Sequence, residues 1–245
     1  SYTYGGDFNG DGGTSNDLYF EQIGQSSMKH AFTALTQNLC GFGCNGVGGS
    51  RLGSGCSDPY SASLNAGPSL GSRAWVNPFT GAYPRGDSAT PPNSHTGHSH
   101  LGPSHRILTE INDLRTDLNP GASYYAEAQY VTPHEYAWCQ SNPGQCNMYN
   151  NVSYRRYNVS GTGSPFSFSA NGSTVRTKPA IYAWPGASIV QFEPAPGSDG
   201  IGFIAYKVTQ TGANTWHYEY AVYNQNLDRA IGGFSVPTNG PTLTT

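Results

Sequence analysis

The second half of the chain consists of short alternating runs separated by turn sequences. In the run ASYYAEAQYVTP, residues 122–133, every second residue is tyrosine or alanine, namely Tyr124, Ala126, Ala128 and Tyr130. The residues between them are Tyr125, Glu127 and Gln129. Successive side chains of a β-strand point to opposite faces, so a period of two indicates a half-buried strand.

Turn signals extend this pattern. The pair Asn171-Gly172 in FSFSANGSTVRT predicts a hairpin. The stretch IGFIAYKVTQTGANTWHYEYAVYNQNLDRAIGGFSVP predicts three more strands, with turns at 212–215 and 225–228. Five or six antiparallel strands in this half favour a mainly β fold, an antiparallel β-sandwich with long disulfide-pinned loops.

One segment has helical periodicity. Met28, Phe32 and Leu35 recur at i, i+4 and i+7, which predicts one short helix near residues 26–38. A chain of 245 residues can form one large β-type domain or two small ones. We predict a Gly/Asp-rich loop segment at 1–19, a single β-sandwich domain at 20–240 and a tail at 241–245.

Composition limits the partners of this chain. Charged residues are 11% of the total, against about 25% in ordinary soluble domains, while there are 32 Gly, 17 Tyr and 17 Pro. This balance is typical of extracellular proteins with short strands and an uncharged polar surface, so we expect a secreted protein. The net charge of -3 and the lack of a basic run argue against nucleic acid, and no apolar segment is long enough to predict a membrane span.

The five cysteines fall into two clusters. Cys139 and Cys146 flank a short loop with an Asn-Pro-Gly turn, which predicts a disulfide between them. In the first cluster, Cys40, Cys44 and Cys56, any one disulfide leaves a thiol over. The alternative there is a zinc site that uses all three thiolates and a histidine.

The stretch SHTGHSHLGPSH contains His95, His98, His100 and His105. On an extended chain His98 and His100 leave the same face and can reach one ion, with His95 or His105 as the next ligand. An all-nitrogen site of this kind suits copper or zinc. The alternative is a loop that picks up metal adventitiously, as histidine-rich tracts do.

A second candidate cluster is spread along the chain. His30, His105 and His217, together with Glu219 on the same strand face as His217, are candidates to converge on one cleft. The alternative is that each histidine is a hydrogen-bonded structural residue.

The N-terminal segment resembles the first half of a calcium loop. Asp7, Asn9 and Asp11 stand at alternate positions, and Asp17 is one place short of the position that a bidentate carboxylate takes. The hypothesis is a calcium site formed by these four residues. The alternative is a turn whose side chains bond their own backbone.

Five aromatic residues stand out in the second half: Trp184, Trp216, Tyr218, Tyr220 and Tyr223. The economical interpretation is that they fill or edge the sandwich. An exposed row of Tyr and Trp would instead form a platform on which sugar rings stack.

Four motifs resemble a widespread family of uncharacterised secreted bacterial proteins. They are FEQIGQSSMKHAFTAL, LGSGCSDPYSASLN, SHRI and WHYEYAVYNQNLDRAIGGFSVP, and the resemblance runs from about residue 20 to residue 237. It implies an exported protein with a β-rich fold. It also places His30, His105 and His217 inside the family motifs and leaves SHTGHSH outside them.

Two functional hypotheses follow. In the first, a secreted β-sandwich holds copper or zinc on its histidines, and, as an extracellular enzyme, uses the metal as redox centre or Lewis acid. In the second, the protein is a non-catalytic surface or matrix component, calcium-stabilised, which binds glycans or forms filaments from copies of itself. Low charge, abundant Gly and Tyr and the lack of a catalytic motif favour the second hypothesis, while the histidine tract favours the first.

Overall fold

The fold is mainly β, as predicted. The computed structural model describes residues 3–5, 17–21, 35–49, 52–58, 76–82, 106–131, 133–163, 166–237 and 240. The strands are β1 Thr3–Gly5, β2 Asp17–Glu21, β3 Arg106–Glu110, β4 Tyr124–Gln129, β5 Val152–Ser160, β6 Ser167–Arg176, β7 Ser188–Phe192, β8 Gly202–Gly212 and β9 Thr215–Asn224. The helices are α1 Ile111–Leu114, α2 Pro133–Ser141 and a 3₁₀ turn at Ala180–Ala183.

The described strands form three sheets of three strands each. Their orders are β1-β2-β3, β4-β5-β6 and β7-β8-β9. All pairings in the first and third sheets are antiparallel. The antiparallel β architecture is therefore confirmed, and the packing of sheets as a sandwich stays a prediction.

The chain divides into two compact units, each made of several segments. The first unit contains residues 1–77, 82–126 and 155–176, and the second contains 78–81, 127–154 and 177–245. The domain boundaries predicted at residues 19 and 240 stay predictions.

In the first unit, a small core surrounds α1. Ile111, Leu114 and Phe166 are buried, and Tyr124 and Val159 pack against them. The Tyr124 hydroxyl also donates to the Asp113 carbonyl oxygen at 2.7 Å, which fastens β4 to this helix. Burial and the nearby Asp113 charge raise the pKa of Tyr124, so its hydroxyl stays protonated as a donor.

In the second unit, the sheet β7-β8-β9 buries one face. Phe203 and Ala205 of β8 are buried, and the Tyr182 ring meets the Phe203 ring edge-on at 5.6 Å. The Tyr223 hydroxyl of β9 donates to Glu127 Oε1, and Glu127 Oε2 accepts the Ala180 N–H at 2.5 Å. This carboxylate therefore joins β9 to the 3₁₀ turn on the covered face of the sheet.

Buried Asp199 joins the loop before β8 to the loop after β9. Its Oδ1 accepts the N–H groups of Gly200 and Asp228, each at 2.8 Å, and its Oδ2 accepts Arg229 Nε at 3.1 Å. Burial by itself raises the pKa of Asp199, but the two backbone hydrogen bonds and the Arg229 charge outweigh it and hold the pKa below its ordinary value. The ionised carboxylate is therefore the form that stabilises this loop pair.

The predicted helix at 26–38 is wrong over the part that the structure describes. Residues 35–38 are not helical, because Gln37 pairs with Ser57 in an antiparallel bridge and the Leu35 N–H donates to Asp58 Oδ1 at 2.8 Å. Residues 26–34 lie outside the described residues. Long-range partners thus replace the local hydrogen bonds that a helix would need.

Three other local predictions are corrected. Asn171-Gly172 lies inside β6, where Gly172 takes the positive φ of 76° that was expected at a turn. No strand follows β9 among the described residues up to 237, so the third strand predicted there is wrong. The segment 1–19, predicted to be loop, contains β1 and the first residues of β2.

Helix α2 was not predicted. It begins at Pro133, a residue that suits the first helical position because its missing N–H would have no partner there. No helix among the described residues is long and apolar enough to cross a membrane.

Candidate functional site

The histidine tract and most of the calcium candidates lie outside the described residues. These are His30, His95, His98, His100, His105, Asp7, Asn9 and Asp11. Asp17, the last calcium candidate, is the first residue of β2 and lies opposite Glu110 of β3. The copper, zinc and calcium hypotheses therefore stay predictions.

His217 and Glu219 lie on one face of β9, as the spacing predicted. His217 is opposite Thr209 of β8 and Glu219 is opposite Lys207. Among the described residues, no three His, Cys, Asp or Glu side chains lie close enough together to hold a metal ion. Whether His30 and His105 join this pair stays a prediction.

The structure pairs the cysteines. The predicted disulfide Cys139–Cys146 is present, and a second disulfide joins Cys44 to Cys56. Cys40 is a free thiol and is the residue left over in its cluster. A zinc site that uses all three thiolates of this cluster is therefore wrong, since two of them are bonded to each other.

The uncovered face of the β7-β8-β9 sheet is the candidate site, and we call it the aromatic face. Strand register defines it, because each β9 residue faces a β8 partner on the same side of the sheet. Tyr220 is opposite Tyr206, Tyr218 is opposite Val208, and Val222 is opposite Ile204, which is also opposite Val190 of β7. The aromatic face thus carries Val190, Ile204, Tyr206, Val208, Trp216, Tyr218, Tyr220 and Val222.

Three aromatic side chains form an exposed row along β9. Trp216, Tyr218 and Tyr220 expose 47%, 54% and 39% of their surface. The rings of Tyr218 and Tyr220 lie 6.5 Å apart and are nearly parallel, at 8°. Phe234, from the segment after β9, packs against Tyr220 with ring centroids 5.4 Å apart, which limits the freedom of that ring.

Within strands β7, β8 and β9, which the structure describes throughout, no charged side chain belongs to the aromatic face. The charged residues of these strands, Lys207 and Glu219, belong to the other face of the sheet, as does His217. The aromatic face instead has polar neutral positions at its margins: Ser188 opposite Tyr206, and Gln210 opposite Trp216. The result is an apolar, ring-bearing surface with neutral hydrogen-bonding groups at its edges.

The sequence identified this row only as one of two alternatives. Trp216, Tyr218 and Tyr220 are exposed, whereas Tyr223 lies on the covered face beside Glu127. Trp184 is half-buried at the end of the 3₁₀ turn. The aliphatic and aromatic partners on β7 and β8 were not predicted, although the alternation in GFIAYKVTQ was a signal for them.

A patch of this kind has two physical uses. Exposed apolar surface that is contiguous and rimmed by polar groups is a feature of binding sites. Aromatic rings offer flat apolar faces to the C–H faces of sugar rings, or pack against a protein partner.

Comparison of the chain with protein-family models, curated proteins and solved structures found no match.

Proposed function

We propose that this protein is a secreted, non-catalytic glycan-binding component that takes saccharide chains on its aromatic face. The observation that carries the proposal is the exposed row of Trp216, Tyr218 and Tyr220 on a sheet whose other face is covered. Leaving three large rings in water costs free energy that an occupant recovers.

The row suits a linear saccharide chain. Residues at i, i+2 and i+4 of a strand project from the same side at regular intervals, so successive rings meet successive units of a linear chain. Neutral side chains at the margin, such as Gln210 and Ser188, provide hydrogen bonds for hydroxyl groups. A face without charge gives no preference for acidic or basic partners.

Secretion belongs to the same proposal. Two disulfides in a chain of this size are typical of an oxidising compartment. The low charged fraction, 11%, and the many Gly and Tyr residues agree with an extracellular surface protein.

The test is binding to polysaccharides. Cellulose, chitin, xylan and starch are each mixed with the purified protein, and the free protein is measured over a concentration series. We expect saturable binding to at least one of them. The double variant Trp216→Ala and Tyr218→Ala should lose most of it, because both ring surfaces are removed at once.

A matched control uses a tyrosine outside the sheet. Tyr130 exposes 68% of its surface, so Tyr130→Ala removes a comparable exposed ring and should leave binding unchanged. No binding to any of the four polysaccharides, or equal binding by the double variant, would contradict the proposal. A concentration-dependent dimer in light scattering that Tyr218→Ala abolishes would assign the face to a second copy of the chain.

A further inference from the structure

A groove in the second unit contains polar and aromatic groups that the aromatic face does not use. Its volume is about 950 Å³, within the range of small-molecule sites. The side chains that matter for its chemistry are Tyr149, Lys178, Tyr182, Glu193, Phe203 and Gln225, all of which line it. None of them belongs to the aromatic face.

Gln225 carries an unused acceptor in this groove. The residue is 5% exposed, and its Nε2 donates to the Tyr149 carbonyl oxygen at 3.1 Å. Because that bond needs an N–H donor, it fixes which end of the carboxamide is nitrogen. Within the described part of the chain, Oε1 has no hydrogen-bond partner.

A buried acceptor such as Gln225 Oε1 needs a hydrogen-bond donor. An unsatisfied buried polar atom is destabilising, and native proteins almost always provide it with a partner. The backbone around Gln225 is held firmly, since its own N–H donates to the Ile201 carbonyl at 3.1 Å and the next side chain, Asn226, accepts the Ile201 N–H at 2.9 Å. Turning the carboxamide to give Oε1 another partner would also break the Nε2 bond to the Tyr149 carbonyl oxygen.

Glu193 provides a second acceptor in the same groove. Its Oε1 accepts the Tyr149 hydroxyl at 2.7 Å. Burial, together with the Glu193 hydrogen bond and charge, raises the pKa of Tyr149, so the hydroxyl stays protonated as a donor. Tyr149 is thus linked to both side chains, because its hydroxyl donates to Glu193 Oε1 and its carbonyl oxygen accepts Gln225 Nε2.

The groove also has a fixed aromatic wall. Tyr182 is exposed, and its ring is held edge-on against the buried ring of Phe203 at 5.6 Å. Lys178 Nζ lies 5.4 Å from the centroid of the Tyr182 ring. The ring is therefore positioned before any ligand arrives.

These groups select a neutral, donor-rich ligand. Lys178 and Glu193 are residues of opposite charge, so together they give the groove no net preference for a cation or an anion, whereas hydroxyl groups can donate to both acceptors. A molecule with several hydroxyls and one apolar ring face matches the acceptor pair and the Tyr182 wall together. We propose that the groove binds a sugar unit, with hydroxyls donating to Gln225 Oε1 and Glu193 and the ring face against Tyr182.

This second saccharide site is independent of the aromatic face, and its test differs accordingly. The ¹⁵N-labelled full chain is titrated with methyl glycosides of glucose, galactose and mannose and with N-acetylglucosamine, each up to about 20 mM. We expect saturable shifts with at least one sugar. Gln225→Met keeps the length of the side chain but removes its acceptor, together with the Nε2 donor to the Tyr149 carbonyl oxygen, and should weaken that binding about tenfold.

Two further variants keep the test decisive. Tyr182→Ala removes an exposed wall residue, so it should fold even where Gln225→Met does not, and it should also weaken binding. Tyr130→Ala removes an exposed ring that belongs neither to the groove nor to the aromatic face, and this variant should bind the sugar as the parent chain does. The proposal is overturned when no sugar binds, when an ordered water alone satisfies Gln225 Oε1, or when Tyr182→Ala and Gln225→Met bind the sugar as tightly as the parent.

Discussion

Replacing Asp199 with asparagine removes one buried charge and keeps the shape of the side chain. Asparagine Oδ1 can still accept the N–H groups of Gly200 and Asp228, but as a neutral acceptor. Its Nδ2 then faces Arg229 Nε, so two donors meet where a carboxylate and a guanidinium met before.

The magnitude follows from these contacts. A hydrogen bond to a charged group contributes about 1.5–3 kcal/mol and one between neutral groups about 0.5–1.5 kcal/mol, so each weakened backbone bond costs about 1 kcal/mol. Arg229 is 72% exposed and can swing into solvent, which limits its share to less than about 1 kcal/mol. We expect Asp199→Asn to lower the free energy of unfolding by about 2 kcal/mol at pH 7.

The effect should depend on pH with a definite sign. Because the folded pKa of Asp199 is below its ordinary value, the unfolded chain takes up a proton more readily, and the stabilisation is lost as pH falls below about 4. Asparagine does not titrate. The stability difference between parent and variant should therefore be full at pH 7 and 5 and shrink towards pH 3, measured by urea unfolding at each pH.

An exposed carboxylate provides the comparison. Arg115 donates to Asp117 at 2.6 Å and this hydrogen bond lowers the pKa of Asp117, but both side chains are open to solvent. Asp117→Asn should change stability far less than Asp199→Asn. A gap for Asp199→Asn that stays constant down to pH 3, or a variant as stable as the parent at pH 7, would refute the reasoning.

Two more perturbations test the second unit. Changing Cys139 and Cys146 to serine opens a disulfide between residues seven positions apart. Chain entropy predicts a loss of about 2–3 kcal/mol in the free energy of unfolding, measured under oxidising conditions. An unchanged midpoint of unfolding would count against this prediction. A methyl group on Gly200 would overlap the carbonyl and side-chain oxygens of Asn226. Gly200→Ala should therefore lower the free energy of unfolding by about 1–3 kcal/mol, and the melting temperature should fall with it. Gly232 has open space around it, and Gly232→Ala should be nearly neutral; similar losses for both glycines would contradict the overlap.

Local patterns predicted the β8-β9 pair well. The alternating residues on both sides of Gly212 predicted the two strands correctly, and the turn residues between them predicted the turn at 212–215. Patterns failed where distant residues decide. Gln37 takes Ser57 as a partner instead of a helical neighbour, and Gly172 uses its positive φ inside β6.

The candidate sites show the same limit. Composition and spacing identified Trp216, Tyr218 and Tyr220 as an aromatic set but could not say whether they were covered. That depends on Glu127 and Phe203, which join the opposite face to residues far away in sequence. The groove around Gln225 left no sequence signal, because its groups come from segments that only the fold brings together.

The interleaved segments of the two units affect how this chain can be made. The second unit needs residues 78–81, 127–154 and 177–245, and the first unit takes the stretches between them. During synthesis from the N-terminus, the second unit cannot close until its last 69 residues have emerged, and its contacts span long sequence separations, which slow folding. No single cut releases either unit as a continuous fragment, and both proposed binding surfaces belong to the second unit, so each is tested by point variants in the full chain.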